Sequence, residues 1–316
     1  MSEEKRAPGA PEDRRSFLTK LGGAALAASG LGAIACATSA AASSGTMPGA
    51  SAGTMAGGAT TGAKIRPIGV QLYTVRDEMQ KDVAATLARV AQIGYTEVEF
   101  AGYYNHTPAE IRAMLDQNRL TAPSAHIPLQ QLQGDLPNVI AAAKTIGHQY
   151  IVCPWLDPSQ RGSTVDAWKS FGTTLTDIGR QVQAAGLQFA YHNHDFEFQK
   201  IGDVVPFEVL LANSDPSLVK MEMDLYWATK GGQDPLAWFA KYPGRFPLVH
   251  VKDAKGAAMD MAPVGEGTID WKRIFGQRAQ AGIQHYFVEH DSAAQYPGGA
   301  FASIAASYSY LSNLTV

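Results

Sequence analysis

Cysteine is scarce: Cys36 and Cys153 are the only two in 316 residues. Two thiols so far apart make neither a disulfide framework nor a zinc-ligand pair. No run of Lys or Arg is interleaved with aromatic residues, and the net charge of −3 is close to neutral. Both features argue against a nucleic-acid partner. No G-x-G-x-x-G follows the first apolar run past residue 64, which disfavours a dinucleotide-binding open sheet. The apolar run over residues 21–35 is too short and too rich in Gly and Ala for a comfortable membrane span. What is present is a 46% hydrophobic content, enough to bury a large core in one big domain or two small ones.

Residues 1–36 read as an export signal. Asp13-Arg14-Arg15-Ser16-Phe17-Leu18-Thr19-Lys20 has the paired arginines, the Phe-Leu and the lysine of a twin-arginine signal, with the short apolar run behind it. That route moves proteins already folded, so a metal can be acquired before export. The signal ends in Ala33-Ile34-Ala35-Cys36, and two readings stay open: a lipid-modified Cys36 anchoring the chain to a membrane, or plain cleavage at small residues. Residues 37–63, rich in Gly, Ser, Thr and Ala, read as a flexible tether. The expected location is the periplasm or the cell envelope.

From residue 64 a pattern recurs in which a helix-like stretch ends in Gly and a β-rich run follows: AQIGYTEVEF, AKTIGHQYIVC, QAAGLQFAYH, AQAGIQHYFVEH. Gly94, Gly147, Gly186 and Gly282 suit the left-handed position just past a helix end. Eight β-rich runs are expected, over 68–73, 96–100, 121–126, 150–153, 187–192, 219–224, 248–251 and 286–289. Helical stretches over 77–93, 108–118, 136–146 and 164–185 separate strands that must then be parallel. Eight β/α units in residues 64–316 predict a (β/α)8 TIM barrel.

Side chains of a barrel strand point alternately to the helices and to the interior. In VQLYTV, Val70 and Leu72 suit the helix side, which leaves Gln71 and Tyr73 inside. In VKMEMD, Met221 and Met223 face out, and Lys220, Glu222 and Asp224 face in. Val249 and Val251 face out, His250 and Lys252 in; Val288 faces out, Glu289 in. Ser124 shares a face with His126, and Glu97 with Glu99. Each of these strands ends on its inward face in a polar or ionisable residue, at the mouth where barrel enzymes keep their sites.

The octet YHNHDFEF, residues 191–198, puts His192 and His194 at that mouth and Glu197 in the loop beyond. With Asp224, His250 and Glu289, four consecutive strands bring imidazole and carboxylate to one point. Such a mixed set suits one divalent ion, Mn²⁺, Co²⁺, Zn²⁺ or Fe²⁺, better than Ca²⁺ or Mg²⁺. Glu289 and His194 are candidates for acid/base work. Lys252 is a candidate to stabilise a developing oxyanion, or pairs with Asp253. His126, Glu99, Gln71, Tyr73 and Trp155 are candidates to hold substrate hydroxyls and the apolar face of a sugar. No glycine-rich phosphate cradle stands at the strand ends. Arg76, just after the first strand, reads either as an anion binder or as a surface charge.

GVQLYTVRD, YHNHDFEF, EMDLYWATKGGQDP, HVKD, PVGEGTIDWKRIF and FVEHD together resemble the xylose-isomerase-like TIM-barrel family of sugar isomerases and epimerases, over residues 65–314. The resemblance implies one divalent metal held by Glu, Asp, His and Glu from strands five to eight. Asp224, His250 and Glu289 match position by position. The strand-five glutamate falls on His192 by register, so either His192 is the ligand or Glu197 reaches back from the loop. This strand is similar to the inosose-dehydratase and keto-sugar-lyase branches. The implied chemistry is proton abstraction beside a metal-bound carbonyl of an unphosphorylated sugar, with elimination, or mere sugar binding in the envelope, as alternatives.

Overall fold

The computed structural model describes residues 62–316; the expected signal and nearly all of the tether lie outside them. The strands are β1 (Ile68–Gln71), β2 (Glu97–Phe100), β3 (Thr121–His126), β4 (Tyr150–Cys153), β5 (Gln188–His192), β6 (Val219–Asp224), β7 (Leu248–Val251), β8 (Asp253–Lys255), β9 (Asp260–Ala262) and β10 (His285–Val288). β1 to β7 and β10 form one closed parallel barrel, with β10 pairing back onto β1. β8 and β9 form a separate antiparallel hairpin in the loop after β7. The expected TIM barrel is the fold. Backbone pairing begins slightly ahead of residue 64, since the Gly62 and Ala63 amides both donate to the Val316 carbonyl.

The four glycines expected past helix ends all have positive φ, 119° at Gly94, 93° at Gly147, 83° at Gly186 and 80° at Gly282. Of the boundaries that differ from expectation, three matter here. The first strand stops at Gln71, and Leu72–Val75 turns into a 3-10 helix because the Gln71 side chain accepts from the Tyr73 amide. The helix expected over 77–93 is two, Arg76–Lys81 and Val83–Ile93, because Asp82 breaks out and caps the second by accepting from the Ala85 amide. The last barrel strand ends at Val288, which leaves Glu289 one residue past it.

The interior of the barrel is layered. At the amino end of the strands His285 pairs with Glu97, Nδ1 to Oε2 at 2.8 Å. Above lies an apolar plug of Tyr150, Val152, Ala190, Leu248 and Phe287. The Phe287 ring fits because its register partner on β1 is Gly69, where an added Cβ would lie 2.6 Å from the ring. The polar residues of the strand ends therefore stand on an apolar floor. Outside the strands, Val70, Val98, Met221, Met223, Val249, Val251 and Val288 are buried in the core shared with the helices, as the alternation requires.

Candidate metal and active site

The carboxyl ends of β2, β3, β5, β6, β7 and β10 deliver ionisable side chains into one closed space. Register sets them level: Asp224 lies opposite His250, and His192 opposite Glu222. The set divides around His192 and His250, whose ring centroids are 4.4 Å apart.

On the side facing the plug, His126 Nε2 lies 2.6 Å from Glu222 Oε2 and 3.1 Å from Glu99 Oε2. His250 Nε2 lies 2.7 Å from Glu99 Oε2 and 3.3 Å from Glu222 Oε2, and His192 Nδ1 lies 3.1 Å from Glu222 Oε2. Gln71 Nε2 donates to Glu99 Oε2 at 2.7 Å. Burial would lower the pKa of His126, but Glu99 and Glu222 raise it to about 9. Burial likewise opposes a proton on His250, yet Glu222 and Glu289 hold it well above the usual range. His126 and His250 in turn overcome the burial of Glu99 and hold its carboxyl well below the usual carboxylate range.

On the side facing the mouth, His250 Nδ1 lies 3.0 Å from Glu289 Oε2, and His192 Nε2 lies 3.8 Å from Asp224 Oδ2. Lys252 Nζ lies 2.9 Å from Glu289 Oε2, 3.3 Å from Asp224 Oδ2 and 3.2 Å from Asp291 Oδ1. Burial, reinforced by repulsion from His250, pushes the His192 pKa well below its usual value. His192 is therefore a neutral ring with a lone pair to give. Burial raises the Asp224 carboxyl. One ligand atom from each of His192, Asp224, His250 and Glu289 lies within 4.8 Å of the others, and the same holds for His126, His192, Glu222 and His250. Two imidazoles and two carboxylates at the mouth are a donor set that fits a divalent transition ion.

Aromatic rings wall the mouth above β4 to β6. His194 packs edge-on to Trp155 at 4.5 Å and lies 5.5 Å from Trp227. The indole N–H groups of both tryptophans are shielded from solvent and find no hydrogen-bond partner among the described residues. A buried donor left unpaired costs free energy, so each of these N–H groups calls for an acceptor.

Several expectations are sharpened. Glu197 is turned away from the ligand groups: it accepts from the Tyr191 hydroxyl at 2.6 Å and the His194 amide at 2.8 Å, and burial raises its pKa to about 8. It braces the loop that carries His194, and the strand-five position among the ligand atoms is filled by His192. Tyr73 lies in the 3-10 turn rather than on the strand, with the Arg76 guanidinium 4.4 Å above its ring. Arg76 donates to the Tyr73 and Asp291 carbonyls, both at 3.0 Å, and so ties two loops together. Lys252 pairs with Asp224, Glu289 and Asp291, not with Asp253. Asp253 accepts from the Gly265 and Ile269 amides and the Trp271 indole.

Four further residues contribute that the sequence alone does not single out. Glu222 has the inward parity that could have nominated it. Asp291 is the last residue of FVEHD, just past the final barrel strand. Asn193 exchanges hydrogen bonds with the Asp224 main chain, accepting at 3.2 Å and donating at 3.3 Å. Trp227 follows Asp224 by three residues, and its amide donates to Asp224 Oδ1 at 2.9 Å.

Residues 87–296 match the family model described as xylose isomerase-like TIM barrel. The chain belongs to that family. Among curated relatives, the inosose dehydratase of Lacticaseibacillus casei is 24% identical over 276 residues, covering 74% of this chain and 91% of that one. A sugar phosphate isomerase/epimerase from Parabacteroides distasonis superposes with a TM-score of 0.64 at 27% identity, over 77% of this chain and 92% of its own. The IOLI protein, solved with a bound zinc atom, shares the fold with a TM-score of 0.62 at 14% identity, over 77% of this chain and 96% of its own. The family is one of enzymes acting on small sugar-like molecules.

Proposed function

We propose that the chain is a divalent-metal-dependent enzyme that takes a proton from the carbon beside a carbonyl of an unphosphorylated sugar and returns it elsewhere, as an isomerase or epimerase. One observation carries this reading. His192 Nε2 is sealed from solvent and has no hydrogen-bond partner among the described residues; it faces Asp224 Oδ2 at 3.8 Å, an oxygen that the Lys252 ammonium meets at 3.3 Å, with His250 and Glu289 completing the group. A buried imidazole lone pair without a partner is costly, and a divalent ion between it and the two carboxylates would relieve that cost. A divalent transition ion suits the set, and the bound zinc of the IOLI protein, which shares the fold, supports a metal in this barrel.

When bound, such an ion supplies Lewis acidity that polarises a carbonyl and acidifies the neighbouring C–H. Glu289, beside His250 and Lys252, and His194, between the two indoles, are the groups we assign to accept and return the proton. Lys252 keeps a positive charge where the substrate oxygen gains negative charge. Trp155 and Trp227 offer N–H groups to hydroxyls and ring faces to the C–H face of a sugar. Gln71, Glu99 and His126 hold His250 from below. Arg76 is held in place by one donor from each terminal nitrogen to a backbone carbonyl, an anchoring role in line with an unphosphorylated substrate.

The end of β5 favours a second reading, proton removal followed by loss of a β-hydroxyl. The resemblance implies that epimerases of the family use glutamates from the fifth and eighth barrel strands. Here His192 occupies the strand-five register, and Glu197 is committed to Tyr191 and the His194 amide. The inosose dehydratase relative supports the same alternative. We also assign the enzyme to the cell envelope, on the strength of Arg14-Arg15 and the apolar run that follows.

The deciding experiment incubates metal-loaded protein with a panel of keto-sugars and inososes in D₂O and follows them by NMR. Deuterium entering a substrate or its isomer supports the first reading, and loss of water to an unsaturated product supports the second. Saturable sugar binding with no exchange in any member would mean a non-catalytic sugar-binding barrel.

A further inference from the structure

His192 and His250 each show one ring nitrogen to the mouth and the other to the plug. The mouth-facing atoms, His192 Nε2 and His250 Nδ1, meet Asp224 and Glu289. The plug-facing atoms, His192 Nδ1 and His250 Nε2, meet Glu222 and Glu99. A neutral imidazole has one lone pair, and its other nitrogen carries a proton. Each ring can therefore ligate on one side while donating N–H to a carboxylate on the other, the arrangement that fixes metal-bound histidines generally. Carboxylates for both arrangements are in place.

The plug-facing side has more than this symmetry. His126 Nε2 points into it, 5.1 Å and 5.2 Å separating the His126 ring from those of His192 and His250. Glu99 and Glu222 are fully buried, and in each the Oε1 atom has no hydrogen-bond partner among the described residues. His126, His192, Glu222 and His250 bring ligand atoms within 4.8 Å of one another.

We propose that this is a second metal position, inward of the mouth, made by His126, His192, Glu222 and His250, and that one divalent ion occupies either it or the mouth position. The inner position stands on its own geometry; the exclusivity rests on the mouth position of the proposed function. Sharing two imidazoles makes the positions alternatives, because occupying both would require stripping both rings of their last proton. Charge follows the choice. With the ion inside, Lys252 remains between Asp224 and Glu289; with the ion at the mouth, Lys252 retains Asp291. The donor sets differ as well: three imidazoles and one carboxylate inside, two and two at the mouth. Softer Zn²⁺ is therefore expected inside and harder Mn²⁺ at the mouth, so zinc withholds from the mouth the Lewis acid that manganese supplies.

The test titrates metal-free full-length protein with Zn²⁺ and, separately, Mn²⁺ by calorimetry. Stoichiometry near one ion per chain is expected for each, with Zn²⁺ displacing Mn²⁺. His126→Gln should weaken Zn²⁺ binding by about 100-fold and leave Mn²⁺ within about threefold, and Asp224→Asn should do the reverse. X-ray absorption on zinc-loaded wild-type protein provides a readout free of any folding defect, with three imidazoles expected at the ion. Two imidazoles there, or Zn²⁺ affinity unmoved in a folded His126→Gln, would overturn the inner position. Two Zn²⁺ ions bound together would overturn the exclusivity. Mn²⁺ binding unchanged in Asp224→Asn would instead sink the mouth position and leave the inner one standing.

Discussion

Lys252 and Glu289 form an ion pair sealed from solvent, Nζ to Oε2 at 2.9 Å, inside the group that would hold the mouth metal. The lysine also reaches Asp224 and Asp291, so it is a buried cation shared by three carboxylates. Removing one partner of a buried pair typically costs 3–5 kcal/mol, because the other charge is stranded. Lys252→Met should lower the stability of the chelated protein by about that amount. A divalent ion at the mouth should restore most of it. Melting curves in EDTA and in Mn²⁺ test this, and equal losses in both would rule out a shared electrostatic role.

Trp155 and Trp227 predict a split between folding and substrate affinity. Replacing either by Phe keeps a ring and removes an N–H that has no partner among the described residues. Stability should hold or rise, since an unsatisfied buried donor disappears. On the substrate found by the panel, kcat/KM should fall by about tenfold, the worth of one hydrogen bond. Loss of stability with unchanged kinetics would make the indoles packing elements only.

The floor of the site depends on Gly69. A methyl there would lie 2.6 Å from the Phe287 ring and 3.2 Å from the Glu97 Cβ, with β1 fixed between two strands. Gly69→Ala should cost about 1–3 kcal/mol, as overpacking does. Urea unfolding measures it, and a change below about 0.5 kcal/mol would show that the ring has room to move.

His148 predicts a pH dependence of stability remote from the metal ligands. Its Nδ1 lies 2.6 Å from the Ala122 carbonyl and its Nε2 3.0 Å from the Tyr103 hydroxyl, and burial lowers its pKa from 6.5 to about 4. Above pH 6.5 the ring is neutral folded or unfolded, and its contribution is complete. As pH falls below 6.5 the unfolded chain takes up a proton that the fold refuses until about pH 4, so stability is lost across that window, by about 3 kcal/mol in all. Unfolding midpoints from pH 7 to pH 4 should fall less steeply in His148→Gln than in the wild type.

Much of the barrel is legible in the sequence because its signals are local. A glycine past a helix end needs only its own φ, and inward parity needs only the alternation of a strand. Gly94 and Gly147, or Met221 against Glu222, can thus be placed without knowing the rest of the chain. The same parity brings His192, Asp224, His250 and Glu289 to one mouth. It misplaces Tyr73, because the Gln71 side chain draws the Tyr73 amide into a turn and ends the alternation two residues early.

What the sequence by itself determined is which residues face inward at the strand ends, and hence the kind of chemistry available there. Which of them meet was decided only by closure of the barrel. Glu99 and His250 are 151 residues apart in the chain and 2.7 Å apart in space, and His126 and Glu222 are 96 apart and meet at 2.6 Å. The choice between His192 and Glu197 was also tertiary. Both carry ligand-type atoms on one short segment, but the 3-10 turn over Phe196–Phe198 leaves Glu197 against the Tyr191 hydroxyl, where burial and two hydrogen bonds hold it. Local sequence sets the direction of a side chain on a strand; beyond the strand's end, the partners that the fold brings near set it instead.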